Sequence, residues 1–428
     1  MKLWVCAVPL VVLLSALANA ASIGQDERVR YDNYSVYKVK YANALQRSVL
    51  LQLDEESNDF NLWHEASDQV HVMVSPKAKL EFEARMSQMN ASAEVLIENV
   101  QSLIQDGSDG ALRDSSFGWT SYHTLEKIEA WLDEILASYP EIVTGFLVGQ
   151  SYEGRDIRGI KISYKSGNPG VFIESNIHAR EWITSATATW FINELLTSSD
   201  AAVRDLAENH DWYIVPVFNV DGFVYSHVKD RMWRKSRSPS AGSTCIGVDL
   251  NRNYDSHWME NGGASDNPCA ETYAGLSAFS EPETKALSEY ISGIKDKVNV
   301  LFAFHSYSQV LLSPYGHTDE EFPDNYDDLL QVAKAYADAV NSLQYGTTYR
   351  YGSSAEVLYI ASGCTNDWAY VKADIEISYT IEFRDTGHHG FLLPPTHIIP
   401  NAEETLAGIT ALLAESRELG YLELKYDL

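Results

Sequence analysis

The chain has 428 residues, 45% of them apolar and 21% charged. That is enough for an enzyme-sized core plus a smaller module, and it excludes a disordered, collagen-like or miniprotein composition. Its 32 Lys and Arg against 60 Asp and Glu give a formal charge of −28, which repels phosphate backbones and anionic lipid and so argues against nucleic acid and membrane surfaces as partners.

The first predicted element is a leader. Lys2, the apolar run Trp4–Leu17 and the small-residue site Ala18-Asn19-Ala20 read as a secretory signal peptide over residues 1–20. The run is too short to span a bilayer, and no later stretch is apolar enough to do so. A secreted chain in an oxidising compartment makes its cysteines readable. Cys6 leaves with the leader, Cys245 and Cys269 can close a loop rich in Gly, Ser and Asn, and Cys364 is left over as a buried, inert thiol.

Residues 21–113 form a first module. Strands are expected at Ser35–Tyr41, Ser48–Leu53 and Val70–Val74, and helices at Pro76–Met89 and Ala93–Leu103, which together suggest a small α+β open sandwich. Two sequons, Asn33-Tyr34-Ser35 and Asn90-Ala91-Ser92, fall inside it. It closes on the polar, Gly-rich stretch from Gln105 to Gly110, and Arg113 follows. A lone basic residue in an exposed linker is where a trypsin-like protease cuts; an ordinary interdomain linker has the same look.

Residues 114–428 change pattern. Strands at Gly170–Glu174, Trp212–Phe218, Val298–Phe304 and Ile375–Phe383 alternate with helices at Thr124–Ser138, Glu181–Leu196, Glu281–Ile294, Asp327–Ser342 and Ala402–Glu415. Apolar strands separated by helices predict an α/β domain, a central sheet with helices on both faces. Charge follows the same division. Residues 21–113 hold 9 basic and 15 acidic residues, a net of −6, and residues 114–428 hold 22 and 45, a net of −23.

Ligands in such folds bind at the carboxyl ends of strands. The strand ending near Glu174 delivers His178-Ala179-Arg180-Glu181, and a His and a Glu three apart at a helix start face one way. Zinc accepts that mixture, needs a third protein ligand and leaves one position open. His305, directly after the apolar strand Val298–Phe304, sits at the equivalent place. Glu382 lies near the end of another buried strand, where an isolated carboxylate is costly unless it has a task or a partner. The composite is a two-His, one-Glu zinc site with a separate Glu as general base. Arg180, Arg234 and Arg252 stand out in so acidic a chain, and guanidinium grips carboxylates and stabilises oxyanions.

These blocks, Ser175–Trp182, Met232–Lys235, Gly247–Asn253, His305–Gln309, Leu358–Asp367 and Thr380–Pro394, make the chain resemble the zinc metallocarboxypeptidases of the pancreatic A/B type in proenzyme form, over all of it after the leader. The resemblance implies one Zn²⁺ held by His178, Glu181 and His305, with Glu382 and Arg234 catalytic, the latter stabilising the oxyanion. It implies that Asn251, Arg252 and Tyr359 hold the substrate's terminal carboxylate, and that Arg180, Tyr307 and Phe391 line the approach. It makes Asp249 the carboxylate that orients His178, and Cys245–Cys269 a disulfide.

The resemblance further implies a mixed central sheet behind an inhibitory activation domain, a monomer, and activation by a trypsin-like protease cutting after Arg113. Protein and peptide C-termini would be the substrates, protein carboxypeptidase inhibitors would bind, and the setting would be digestive, in the gut lumen. The specificity pocket maps to Ser354, Cys364, Thr365 and Asn366. The family has an apolar floor for aliphatic and aromatic ends, or an aspartate for Lys and Arg. Asn366 is neither, which leans toward Lys or another polar terminal residue; an A-type preference and an inactive peptide-binding relative are the alternatives.

Overall fold

A computed structural model describes residues 28–108 and 117–423. The leader and Arg113 therefore lie outside the described residues.

The first module is a four-stranded antiparallel sheet, β1 (Ser35–Lys40), β2 (Phe60–Ala66), β3 (Gln69–Val74) and β4 (Ser92–Ile97), in the order β2-β3-β1-β4. Three helices accompany it, Ala44–Glu56, Lys79–Gln88 and Val100–Ser108. Two expectations are corrected here. Ser48–Leu53 is helical, because Asn43 caps the segment by accepting from the Gln46 N–H at 3.0 Å and Leu50 and Leu53 both turn into the core. Ala93–Leu103 is divided. Its first half is the edge strand β4, whose mostly exposed residues show little alternation and whose form is set by pairing with β1, and only Val100 onward is helical. Strand β2 escaped sequence reading because Asn61, His64 and Glu65 interrupt its apolar pattern.

One face of this sheet buries Tyr37, Val39, Val70 and Val72 against Leu50, Leu53, Phe82 and Met86 of the helices. The opposite face is also apolar. Val36, Trp63, Met73 and Ile97 form a single cluster with Met232, Tyr307 and Phe391 of the second module. Both faces are covered, so the small module is seated on the larger one by a hydrophobic contact. Asn33 and Asn90 are both exposed.

The second module holds an eight-stranded sheet: β5 (Val143–Gln150), β6 (Asp156–Ile162), β7 (Gly170–Ser175), β8 (Asp211–Val215), β9 (Val298–Ser306), β10 (Val310–Ser313), β11 (Arg350–Ser353) and β12 (Ile377–Phe383). The order is β11-β10-β12-β9-β7-β8-β6-β5; β12, β9, β7 and β8 are parallel at the centre, β6 and β5 run antiparallel at one edge, and β10 pairs antiparallel with β12 on the other side. Every residue of β7, β8 and β9 is buried, so helices cover both faces, as apolar runs without alternation require. Each fully buried Val, Ile, Leu or Phe of these strands contributes about 1.5–3 kcal/mol of burial free energy. Asn299 is polar and buried near the start of β9; its Nδ2 donates to the carbonyls of Tyr421 and Glu423 at 3.1 and 3.0 Å.

Helices Trp182–Thr197, Tyr326–Asn341 and Ile398–Glu418 form one packed group. Cys245 and Cys269 are disulfide-bonded, and Cys364 is a free, buried thiol. Among the described residues no helix is long and apolar enough to cross a membrane.

Candidate metal centre and cleft

Strands β7, β9 and β12 lie side by side and parallel, so their carboxyl ends open on one side of the sheet. Beyond β7 the backbone turns at Asn176, whose φ of 60° is left-handed. Asn176 Nδ2 donates to the carbonyls of His178 and Glu181 at 3.3 and 3.2 Å and holds the turn closed. The helix begins only at Trp182, with Glu181 as its cap residue. This corrects the expected origin of the pair: a pinned loop, not helical periodicity, aims His178 and Glu181 together.

His305 closes the set from β9. Its Nδ1 lies 3.3 Å from Glu181 Oε2, and His178 Nδ1 lies 2.9 Å from Glu181 Oε1. The three residues are buried, and one donor atom from each lies within 4.8 Å of the others. Two imidazoles and a carboxylate so gathered are a donor set that fits a zinc ion with one position left for a non-protein ligand. The remaining nitrogen of His178, Nε2, is 3.1 Å from Asp249 Oδ1, which leaves Nδ1 with its lone pair toward the centre. Asp249 also receives Arg234 Nη2 at 2.7 Å. Against the cost of burial, the charges of Arg234, His178 and Arg252 hold its carboxyl well below the usual range.

Glu382 pairs in register with His305 on the adjacent parallel strand, which sets it beside the centre without joining the ligand set. Its Oε2 is buried and has no partner among the described residues. Burial and the neighbouring Glu181 carboxylate push its pKa well up, against the opposing pull of Arg234 and Arg252. Arg234 Nη1 reaches to 3.2 Å from His178 Nδ1, so the guanidinium faces the centre.

A cavity of about 80 Å³ joins this centre to Asn251, Arg252, Tyr359, Ser354, Cys364 and Asn366. Arg252 Nη2 donates to the Tyr359 hydroxyl at 3.2 Å and its Nη1 to the Asn251 carbonyl at 2.8 Å. Of the four expected pocket residues, Ser354, Cys364 and Asn366 line the cavity. Thr365 is fully buried behind it, donating through its N–H and hydroxyl to Asn251 Oδ1 at 2.9 and 3.3 Å.

The three residues expected along the approach are each met by the small module. Asn61 Oδ1 accepts from Arg180 Nη1 at 3.0 Å, His71 Nδ1 lies 2.8 Å from the Tyr307 hydroxyl, and Trp63 packs on Phe391 at 5.2 Å between ring centroids. Glu65, paired with Arg47, lines the same cavity as Arg252 and Tyr359. Sequence reasoning missed Asn61, Trp63 and His71; their signal was that polar residues interrupt an apolar strand. It also missed Glu271, which pairs with Arg180 at 3.3 Å, and Lys235, whose Nζ donates to the carbonyls of Pro268 and Ala270 at 2.8 and 3.0 Å.

Comparison with known proteins agrees with this geometry. Residues 128–408 match a family model described as zinc carboxypeptidase, and residues 37–107 match one described as carboxypeptidase activation peptide. The chain is similar to a zinc carboxypeptidase of Simulium vittatum, 53% identical over 301 residues covering 70% of this chain and 98% of that protein. It is also similar to zinc carboxypeptidase A 1 of Anopheles gambiae, 42% identical over 425 residues and 96% of both chains. Among solved structures, that of thrombin activatable fibrinolysis inhibitor superposes with a TM-score of 0.82 at 31% identity, covering 93% of this chain and all of the other.

Proposed function

The chain belongs to the zinc carboxypeptidase family and carries a carboxypeptidase activation peptide, and from that premise we propose that it is a secreted digestive zymogen whose mature domain, from residue 114 onward, removes single residues from peptide C-termini. The chain is a zinc metallocarboxypeptidase by family. His178, Glu181 and His305 would hold the zinc ion, which when bound supplies a Lewis acid that polarises a carbonyl and acidifies water.

Glu382 takes the proton of the attacking water on its free Oε2 and passes it to the amine that leaves. Arg234 meets the negative charge that develops on the carbonyl oxygen. Asn251, Arg252 and Tyr359 bind the substrate's terminal carboxylate, and this requirement for a free end restricts cutting to the last bond. Asp249 fixes the tautomer of His178 and orients Arg234. Arg180, Tyr307 and Phe391 receive residues upstream of the cut, and protein inhibitors of the enzyme would engage the same cleft. Asn366 favours a polar terminal residue over an aliphatic or aromatic one.

The observation that carries the zymogen reading is the pairing of Asn61, His71 and Trp63 with Arg180, Tyr307 and Phe391. Every group proposed to receive substrate upstream of the cut is occupied by the small module, so its departure opens the cleft. Limited trypsin treatment of the intact chain is expected to release the segment ending at Arg113, and hydrolysis of a C-terminal peptide substrate should rise in step with release. Release without a gain in activity would contradict inhibition by this segment.

A further inference from the structure

The floor of the pocket supports a sharper statement about substrate, resting on the carboxypeptidase reading above. Asn366 is 2% exposed, and its Nδ2 has no hydrogen-bond partner among the described residues although its side chain lines the cavity beside the centre. Its backbone carbonyl is occupied by the Ser378 hydroxyl at 3.0 Å, so the carboxamide alone is offered to a ligand.

Of the walls, Thr380 adds a hydroxyl and the rest supply little. Leu312, Leu358 and Ala361 are apolar, and Ser354 directs its hydroxyl to the Ser313 carbonyl at 3.2 Å. Cys364 sets its sulfur 3.6 Å from Arg252 Nη1, and burial pushes its thiol up to about 12, so it is a neutral wall.

Among the described residues no carboxylate stands at this floor. Asp367 is turned away, its Oδ2 accepting from the Gly316 N–H at 2.8 Å. Glu356 faces Tyr326 and Ser353 outside the cavity. The carboxylates that do line the cavity are Glu181 and Glu382 at the metal end and Glu65, which departs with the activation segment.

We propose that this pocket selects a C-terminal residue bearing a side-chain carboxamide, glutamine or asparagine. A buried carboxamide has one donor end and one acceptor end to satisfy. Lysine, a donor only, satisfies Oδ1 and leaves Nδ2 dry. Glutamate, an acceptor only, satisfies Nδ2 and sets its charge against the Oδ1 lone pairs. Methionine and leucine satisfy neither end. A second carboxamide donates and accepts in the same plane, and does so whichever way the Asn366 side chain is turned. Arg252 and Arg234 are placed for the α-carboxylate and the oxyanion at the other end of the cavity, so they do not discriminate among side chains.

The test is kcat/KM of the trypsin-activated protein on peptides that differ only in their last residue: Gln, Asn, Glu, Met, Leu, Phe and Lys. The expected result is that Gln or Asn leads, with Gln at least about tenfold above Met and Glu of similar size, the usual penalty for leaving a buried donor or acceptor unpaired. Asn366→Leu should abolish that advantage and place Met or Leu first, and Asn366→Asp should raise Lys above Gln. The wild-type ranking decides the matter even where a variant fails to fold. Lys, Leu or Phe matching or exceeding both amide residues would overturn the proposal while leaving the carboxypeptidase reading intact. Release of no terminal residue from any peptide would overturn that reading and this one together.

Discussion

Glu382→Gln is expected to leave zinc in place and lower kcat by about 10²–10⁴-fold, the range in which a positioned general base contributes. β12 runs parallel to β9, so Glu382 lies opposite His305 and cannot avoid the centre, yet it is not among the residues whose donor atoms converge. Its Oε2 is buried and has no partner among the described residues, the condition of a group kept for a proton. Glutamine keeps the shape and loses the basicity. The check is kcat and zinc content on the same preparation. A drop in activity that follows loss of metal would make Glu382 a structural support, and unchanged kcat would remove it from the chemistry.

Arg234→Ala carries the second-largest expected effect, a fall in kcat of about 10²–10³-fold with a much smaller change in KM, because a contact with a developing oxyanion strengthens in the transition state. Arg234 also holds Asp249 at 2.7 Å, and Asp249 holds His178. Zinc content therefore has to be measured beside the rates, so that a loosened ligand is told apart from a lost oxyanion contact. A change confined to KM would assign Arg234 to substrate binding.

The parts of the site legible in the sequence were those where chemistry breaks a strong local pattern. His305 follows an apolar strand, Glu382 interrupts another, and arginines are few in a chain of net charge −28. Each is anomalous without reference to the rest of the fold. What the sequence hid depends on contacts between distant segments. Asn176 is an ordinary residue until its side chain pins the His178 loop. The helix at Ala44–Glu56 read as a strand because the Asn43 cap and the Leu50–Leu53 spacing compete with a run of apolar residues of either period. β4 read as helix because an edge strand with exposed side chains has no alternation to display. β2 went unseen because Asn61, His64 and Glu65, which break its apolar pattern, face the second module: Asn61 meets Arg180 and the other two line the cavity beside the centre. A strand whose residues match another surface has its own periodicity obscured.

The central claim is that three side chains from two separated stretches hold a single ion. Its most direct measurement is the zinc content of the purified protein beside that of His305→Ala. The account predicts one zinc per wild-type chain and a near-complete loss in the variant. A wild-type protein without zinc, or a variant that keeps a full complement, would contradict it.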